Sequence, residues 1–132
     1  MLTNMYESEL VQPSAAGETL QVSPVDLKHL RRYTMGDLKL EREVLDLFLG
    51  QLPQTIKSLS DAVTERDWRM AAHTLKGSGR AVGAWRVARL AELAERHMNI
   101  QNRAQCSQAV ARIEEAAEEA RMFIRATYPA AC

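Results

Sequence analysis

The chain has 132 residues, of which 46% are hydrophobic, so it can bury the core of one domain. Seventeen basic residues balance seventeen acidic ones, which gives no overall charge that would favour nucleic acid or a membrane surface. Two cysteines make neither a disulfide framework nor a metal site, and no apolar run reaches transmembrane length, so we expect a cytoplasmic protein.

The N-terminal segment differs from the rest of the chain. Residues 1–22 lack a sustained hydrophobic period and contain a Pro-Ser-Ala-Ala-Gly break, which predicts a mobile arm or linker. Ser23 and Pro24 then provide a cap and a first-turn proline, and Asp26 suits the positive end of a helix dipole. We expect a short helix from this point to about Arg32.

The next segment is predicted to form two helices. The first begins at Leu38, where Asp37 can cap it, and ends near Gly50. Pro53 fits the first turn of the second, which we expect to end near Glu65. The residues expected to face the core are Leu38, Leu45, Phe48, Leu49, Leu52, Ile56, Leu59 and Val63.

The following helix carries the most informative pattern in the chain. Residues 67–84 read DWRMAAHTLKGSGRAVGA, and we expect this helix to end at Gly83 in a left-handed conformation. At about 100° per residue, His73 lies about 140° from the apolar seam of the helix and should face solvent. The seam residues are Trp68, Ala72, Leu75, Gly79 and Val82.

Two more helices complete the domain, from about Trp85 to Met98 and from about Arg103 to Thr127. Their inward residues are predicted to be Val87, Leu90, Ala91 and Ala94 in the first helix, and Val110, Ile113, Ala117, Ala120 and Ile124 in the second. The predicted fold is all-α, an antiparallel (up-down-up-down) four-helix bundle with a short extra N-terminal helix, over residues 23–128.

The surface around His73 is predicted to be basic and partly bare. Arg69, Lys76 and Arg80 fall on the same side of the helix, and Gly77 leaves the turn above the imidazole without a side chain. A mid-helix glycine costs ~1 kcal/mol relative to alanine, which an ordinary surface does not require. No second histidine, cysteine or carboxylate lies three or four residues away, so neither a metal set nor an orienting group is visible. This pattern favours a nucleophilic imidazole and an anionic electrophile such as a phosphoryl group.

These residues resemble a known family. HTLKGS at residues 73–78 and VGA at residues 82–84 are similar to the histidine phosphotransfer (HPt) domains of multistep phosphorelays, whose pattern is roughly AHxLKGxxxxxGA. The likeness continues upstream through EVLDLFLGQLPQTIKSLSDAVTERDW and downstream to Glu95, so it covers about residues 23–127. It implies that His73 accepts a phosphoryl group, through Nε2, from the aspartyl phosphate of a receiver domain and passes it to another response-regulator receiver.

The resemblance also implies roles for the neighbouring residues. Lys76 would steady the phosphoryl oxygens, Gly77 would give the receiver's loops room, and Arg69 and Arg80 would contact the receiver during docking. The chain would have no cofactor of its own, with Mg²⁺ expected on the partner receiver. Its partners would be response-regulator receivers or a hybrid sensor kinase. The absence of a glycine-rich nucleotide loop predicts a carrier rather than an enzyme, and we expect a monomer because the apolar seams are used within one chain.

Three alternatives remain at this stage. The chain could be the phosphoacceptor domain of a chemotaxis-type kinase, or a non-catalytic helical adaptor that binds receivers without accepting phosphate. The dimerisation bundle of a sensor kinase is disfavoured, because its His-Glu-x-x-Thr/Asn-Pro pattern is absent after His73. His29 and His97 are interpreted as structural, since neither has a glycine above its ring.

Overall fold

The computed structural model describes residues 23–97 and 99–129, without the side chain of His97. These residues form five α-helices and no strand, so the predicted all-α fold class is confirmed. The helices are α1 (Leu27–Thr34), α2 (Leu38–Asp61), α3 (Glu65–Val82), α4 (Trp85–His97) and α5 (Arg103–Thr127). None of the described helices is long and apolar enough to cross a membrane. The predicted arm, residues 1–22, lies outside the described residues.

The four longer helices contact one another in a ring. Helix α2 packs on α3, α3 on α4, α4 on α5, and α5 on α2, while α1 contacts α2 and α3. All inward-facing residues predicted for α3, α4 and α5 are buried, which confirms the hydrophobic period of these helices. Trp68 is the largest of the fully buried side chains, and its indole N–H donates a 2.8 Å hydrogen bond to the Ala94 carbonyl, which joins α3 to α4.

Helices α3 and α4 are in close contact at Gly79. A Cβ atom on Gly79 would lie 3.0 Å from the Ala88 nitrogen and 3.1 Å from the Ala84 oxygen. Gly83 then ends α3 at φ 81°, in the left-handed conformation predicted from the sequence. The chain therefore reverses within two residues, and α4 returns along α3 towards the level of His73.

The prediction of two helices between residues 38 and 65 is wrong. Helix α2 is continuous over 24 residues and carries Pro53 in its interior. Proline cannot donate a hydrogen bond to the Leu49 carbonyl and disfavours a helix interior by ~3 kcal/mol. Leu52 and Ile56, on either side of Pro53, are both buried in the core. Their packing on both sides of the proline keeps the helix intact, because tertiary contacts override local propensity.

Two predicted core residues of this segment are exposed. Leu38 is the first residue of α2 and is 62% exposed, because the inward position of that first turn belongs to Glu41. Val63 is 76% exposed, because α2 ends at Asp61 and the helical period no longer applies beyond it. The other six predicted core residues of α2 are buried, as expected.

Helix α1 begins later than predicted, because its cap is Asp26 rather than Ser23. The Asp26 carboxylate accepts a hydrogen bond from the His29 backbone N–H at 3.1 Å and another from the Trp85 indole N–H at 3.0 Å. The Asp26 backbone N–H also donates to the Gly83 oxygen at 2.9 Å. These contacts with the α3–α4 turn set the start of the helix, and they are not visible in the local sequence.

A partly buried ion pair attaches α1 to α2. The Arg31 guanidinium donates two hydrogen bonds to Glu41, at 2.7 and 3.0 Å, and the Glu41 side chain is fully buried. Two-point pairing satisfies both carboxylate oxygens, which a buried carboxylate requires. Helix α1 is therefore held at both ends, by Asp26 at the α3–α4 turn and by Arg31 at α2.

Candidate functional site

His73 lies on the outer face of α3, opposite the seam that packs into the core. Its side chain is 68% exposed, which confirms the prediction that the imidazole faces solvent. The exposure follows directly from helix geometry, since Ala72 and Leu75 on either side of it are fully buried. An exposed imidazole can be reached by a group carried on another protein.

Glu95 of α4 contacts both His73 and Lys76, and it is the site residue that the sequence analysis missed. One carboxylate oxygen lies 3.0 Å from Nδ1 of His73, and the other accepts a 2.7 Å hydrogen bond from Nζ of Lys76. The expectation that no group orients the imidazole is therefore wrong. It considered only neighbours within one helix, whereas Glu95 comes from the helix that returns after Gly83.

The environment of Glu95 favours its ionised form. The hydrogen bond from Lys76 lowers the pKa of the Glu95 carboxyl below its ordinary value, burial opposes this shift, and the contact with His73 reinforces it. A carboxylate can only accept, so the shared hydrogen between Glu95 and His73 belongs to Nδ1. The Nε2 atom then carries the lone pair, and no described residue forms a hydrogen bond with it.

Gly77 leaves the surface beside the imidazole open. A Cβ atom built at Gly77 would have no neighbouring heavy atom within 4 Å. Gly77 stands one turn after His73, so this bare surface adjoins the ring. The surface of α3 one turn after the imidazole is therefore open.

The cations around His73 are paired, which corrects the predicted basic rim. Arg69 lies 2.9 Å from Glu65 and Arg80 lies 3.4 Å from Glu92, and Lys76 is paired with Glu95 as described above. Lys76 is also only 13% exposed. The structure brings all three cations to the face of His73, but none of them offers an uncompensated positive charge to a partner.

His29 does not join this site. The Nε2 atom of His29 lies 3.0 Å from the Arg80 carbonyl oxygen, and its ring makes an edge contact with Trp85 at 4.7 Å between centroids. The structural interpretation of His29 is therefore confirmed. His97 is the last residue of α4. No group of three or more histidine, cysteine or acidic residues among the described ones could hold a metal ion.

Comparison with known families gives one result that agrees with this geometry. A family model described as Hpt domain matches residues 43–123, a span that contains His73, Lys76, Gly77 and Glu95. It extends from the first turns of α2 into the last turns of α5. No curated protein and no solved structure gives a significant match.

Proposed function

Because this chain belongs to the Hpt domain family and therefore has a histidine phosphotransfer role in phosphorelays, we propose that His73 is its phosphoacceptor. In this proposal the donor is the aspartyl phosphate of one receiver domain, and the final acceptor is the aspartate of another. The observation that carries the proposal is the contact between Nδ1 of His73 and Glu95, which leaves Nε2 available on an exposed ring.

The transfer step follows from that geometry. The Nε2 lone pair attacks phosphorus in line with the bond to the aspartyl oxygen, the N–P bond forms, and the P–O bond breaks to regenerate the receiver's carboxylate. The imidazole gains positive charge while its proton stays on Nδ1. Glu95 stabilises that charge through the hydrogen bond it already accepts, without rearrangement. Attack by a second receiver's carboxylate reverses these steps and returns the imidazole to its neutral form.

The neighbouring residues act through position and charge. Lys76 lies on the same face of α3 as His73, one turn later. Its ammonium would be shared between Glu95 and the phosphoryl oxygens. Gly77 would admit the loops of the receiver. Arg69 and Arg80 would contact the receiver by exchanging their present carboxylate partners for acidic groups of the partner protein.

The wider arrangement in this proposal is a monomeric, antiparallel four-helix bundle with α1 as an extra N-terminal helix. The ring of contacts among α2, α3, α4 and α5 and the short α3–α4 turn support it. The chain would act as a carrier without a nucleotide site or cofactor of its own, and Mg²⁺ would be bound by the receiver. Its partners would be response-regulator receiver domains, a hybrid sensor kinase, or both.

Label transfer from phosphorylated receivers tests the proposal. We expect radiolabel from at least one member of a receiver panel to appear as acid-labile, alkali-stable phosphohistidine, and to be lost in His73→Gln. A non-catalytic adaptor would instead bind receivers and never acquire label. Undiminished labelling of His73→Gln would exclude His73 as the acceptor.

A paired substitution tests the role of Glu95. We expect Glu95→Gln to slow transfer about tenfold or more, because a charged hydrogen-bond acceptor is worth ~1.5–3 kcal/mol. Glu119→Gln, which removes the carboxylate that pairs with Arg86 of α4, is the control and should leave the rate nearly unchanged. Nitrogen-15 NMR of the His73 ring should report hydrogen on Nδ1 in the native protein and a mixture of tautomers in Glu95→Gln. Equal rates in the two variants would remove Glu95 from the mechanism.

A further inference from the structure

A cavity that is separate from the His73 site lies between α2 and α5. Its volume is about 390 Å³, which is within the usual range for sites that bind small organic molecules. Helix α5 packs on α2 and α4, so it is opposite α3 in the ring of helices. The cavity shares no residue with the site around His73, and its ligand can be inferred without reference to phosphotransfer.

The floor of this cavity is apolar. Four of its five residues belong to the core of the bundle, and each keeps between 5% and 9% of its surface exposed. The apolar residues of the lining are Leu49, Leu52, Pro53, Ile56 and Ala117. A hydrophobic group placed on this floor would remove apolar surface of both the ligand and the protein from water. The floor therefore favours a ligand with an apolar body.

The rim of the cavity carries two basic and three acidic residues. Lys57 pairs with Asp61 at 2.7 Å and Arg121 pairs with Glu118 at 2.5 Å, each pair within one helix. Neither pair crosses from α2 to α5, so neither closes the mouth of the cavity. The fifth charged residue, Glu114, is exposed, and its carboxylate forms no ion pair or hydrogen bond with a described residue. The rim thus has one negative charge that is not compensated.

Pro53 leaves a second acceptor on the opposite wall. In a regular α-helix the Leu49 carbonyl would accept a hydrogen bond from the N–H of residue 53, and proline has none. Because Leu49 and Pro53 both line the cavity, this carbonyl lies on the same strip of α2. The α2 wall therefore has a carbonyl without its usual helical donor, and the α5 wall has the unpaired carboxylate of Glu114. Both acceptors would be satisfied by a ligand that donates hydrogen bonds.

We propose that this cavity binds a small organic cation. The apolar body of the ligand lies on the floor, and its amidinium, guanidinium or ammonium group donates hydrogen bonds to Glu114 and the Leu49 carbonyl. A cation complements the one uncompensated negative charge of the rim, whereas an anion would be repelled by it. A planar amidinium or guanidinium suits Glu114 best, because it can donate two parallel hydrogen bonds to a carboxylate. The inference goes beyond the proposed function and does not depend on it.

Three aromatic compounds of similar shape and different charge test this proposal. They are benzamidine, which is a cation, benzamide, which is neutral, and benzoate, which is an anion. Each is titrated into the nitrogen-15-labelled protein, and the amide shifts are followed by NMR. We expect benzamidine to bind with a Kd of about 1 mM, a typical affinity for so small a ligand. Benzamide should bind about fivefold more weakly, and benzoate should not bind. The shifts should lie in α2 and α5 and be absent from α3 around His73.

Two acidic residues provide a matched pair of variants. Glu114→Gln should weaken the binding of benzamidine about fivefold and leave the binding of benzamide unchanged. Glu43→Gln is the control, because Glu43 is also exposed and forms no ion pair or hydrogen bond with a described residue, but it does not line the cavity. It should not change the affinity for benzamidine. Pro53→Ala, which supplies an N–H to the Leu49 carbonyl, should weaken benzamidine binding about twofold to threefold.

The outcomes that would overturn the proposal are distinct from those that concern phosphotransfer. Equal affinities for benzamidine and benzamide, or equal effects of Glu114→Gln and Glu43→Gln, would show that the charge of the ligand is not recognised. An absence of shifts at about 20 mM benzamidine, well above the expected Kd, would show that the cavity is not a site for such a cation. His73→Gln should bind benzamidine as the unaltered protein does, so a failure of the proposed function would leave this test intact.

Discussion

The carboxylate of Glu95 contacts both His73 and Lys76, and this explains why a largely buried lysine lies beside an exposed histidine. Lys76 is 13% exposed, so its ammonium needs a partner of the same molecule, which Glu95 provides at 2.7 Å. The same carboxylate fixes the hydrogen on Nδ1 of His73. A single acidic residue therefore sets both which ring nitrogen of His73 remains without a partner and the position of the nearest cation.

Gly77 allows the clearance beside His73 to be tested separately from stability. Because a Cβ here meets no atom within 4 Å, we expect Gly77→Ala to stabilise the protein by up to ~1 kcal/mol through helix propensity. Gly77→Leu should fold equally well but nearly abolish transfer from a receiver, since its side chain leans back towards the imidazole. Urea unfolding and transfer rate are measured on the same samples.

Gly50 provides the matched control for this prediction. It also lies within a helix, and a Cβ atom added to it would meet no heavy atom within 4 Å, but it is on α2. Gly50→Ala and Gly50→Leu should change stability in the same way as the changes at Gly77 and leave transfer unaffected. If Gly77→Leu folds and accepts phosphate at the normal rate, the glycine has no role in clearance.

The sequence predicted the part of this site that lies on α3. His73, Lys76 and Gly77 lie within one turn of each other on one helix, so their spacing alone places them on one face. Glu95 belongs to another helix, and finding it requires the pairing of α3 with α4. One signal was present: Glu95 and His73 are equally distant in sequence from Ala84, at the reversal of the chain, so they face each other if α4 returns along α3.

At the scale of helices, the sequence predicted the start of a helix correctly only where the capping interaction involves residues close in sequence. Asp37 caps α2 with a 3.0 Å hydrogen bond to the Leu40 N–H, as expected from its position in the sequence. The predicted cap of α1 was wrong, because the Asp26 carboxylate is held by a hydrogen bond from the indole N–H of Trp85, which is distant in sequence. Pro53 was misread as a helix start, since the packing of Leu52 and Ile56 that keeps α2 continuous depends on the other helices.

Two glycines with nearly the same φ angle allow the contribution of α1 docking to be separated from that of backbone strain. Gly83 has φ 81° and Gly36 has φ 83°, so alanine at either position adopts a disfavoured left-handed conformation at a cost of ~1–2 kcal/mol. A Cβ atom at Gly36 would meet no heavy atom within 4 Å, whereas a Cβ atom at Gly83 would lie 2.7 Å from the backbone carbonyl oxygen of Asp26. We therefore expect Gly83→Ala to destabilise the protein by ~2 kcal/mol more than Gly36→Ala in urea unfolding.

The extra loss in Gly83→Ala should appear as release of α1. Hydrogen exchange of the α1 amides should accelerate in Gly83→Ala and stay slow in Gly36→Ala, because only the former displaces Asp26 from the α3–α4 turn. Equal destabilisation by the two changes would mean that backbone strain alone accounts for Gly83.

At the scale of the whole molecule, the hydrophobic period was sufficient to predict the long helices and most of their buried faces. Helix α5 has the bounds predicted for it, and its inward residues are buried. The placement of charge was only partly predictable, because many of the ion pairs join residues of different helices, as in the contact of Arg86 on α4 with Glu119 on α5 at 2.6 Å. A neutral net charge thus conceals a network in which carboxylates connect the helices.

That network should make the fold sensitive to acid. Hydrogen bonds lower the pKa of Glu95, chiefly through Lys76. For Asp26, burial raises the pKa, but the hydrogen bonds from Trp85 and His29 outweigh it, so the net shift is also downward. A carboxyl whose pKa is lower in the folded state stabilises the protein above its unfolded pKa, and this contribution is lost as pH falls through the folded value. We therefore expect the free energy of unfolding to decrease below about pH 4.5 and the protein to be more stable at neutral pH.

Two neutralising variants test this origin of the acid sensitivity. Asp26→Asn and Glu95→Gln should each lower the free energy of unfolding at about pH 7, and their difference from the unaltered protein should shrink at about pH 3, which lies below the unfolded pKa of both carboxyls. Glu114→Gln is the control, because the Glu114 carboxylate forms no hydrogen bond or ion pair with a described residue, and it should have little effect at either pH. Urea unfolding at a series of pH values measures all four proteins. A difference that is as large at about pH 3 as at about pH 7 would show that side-chain shape, rather than ionisation, accounts for what Asp26 and Glu95 contribute.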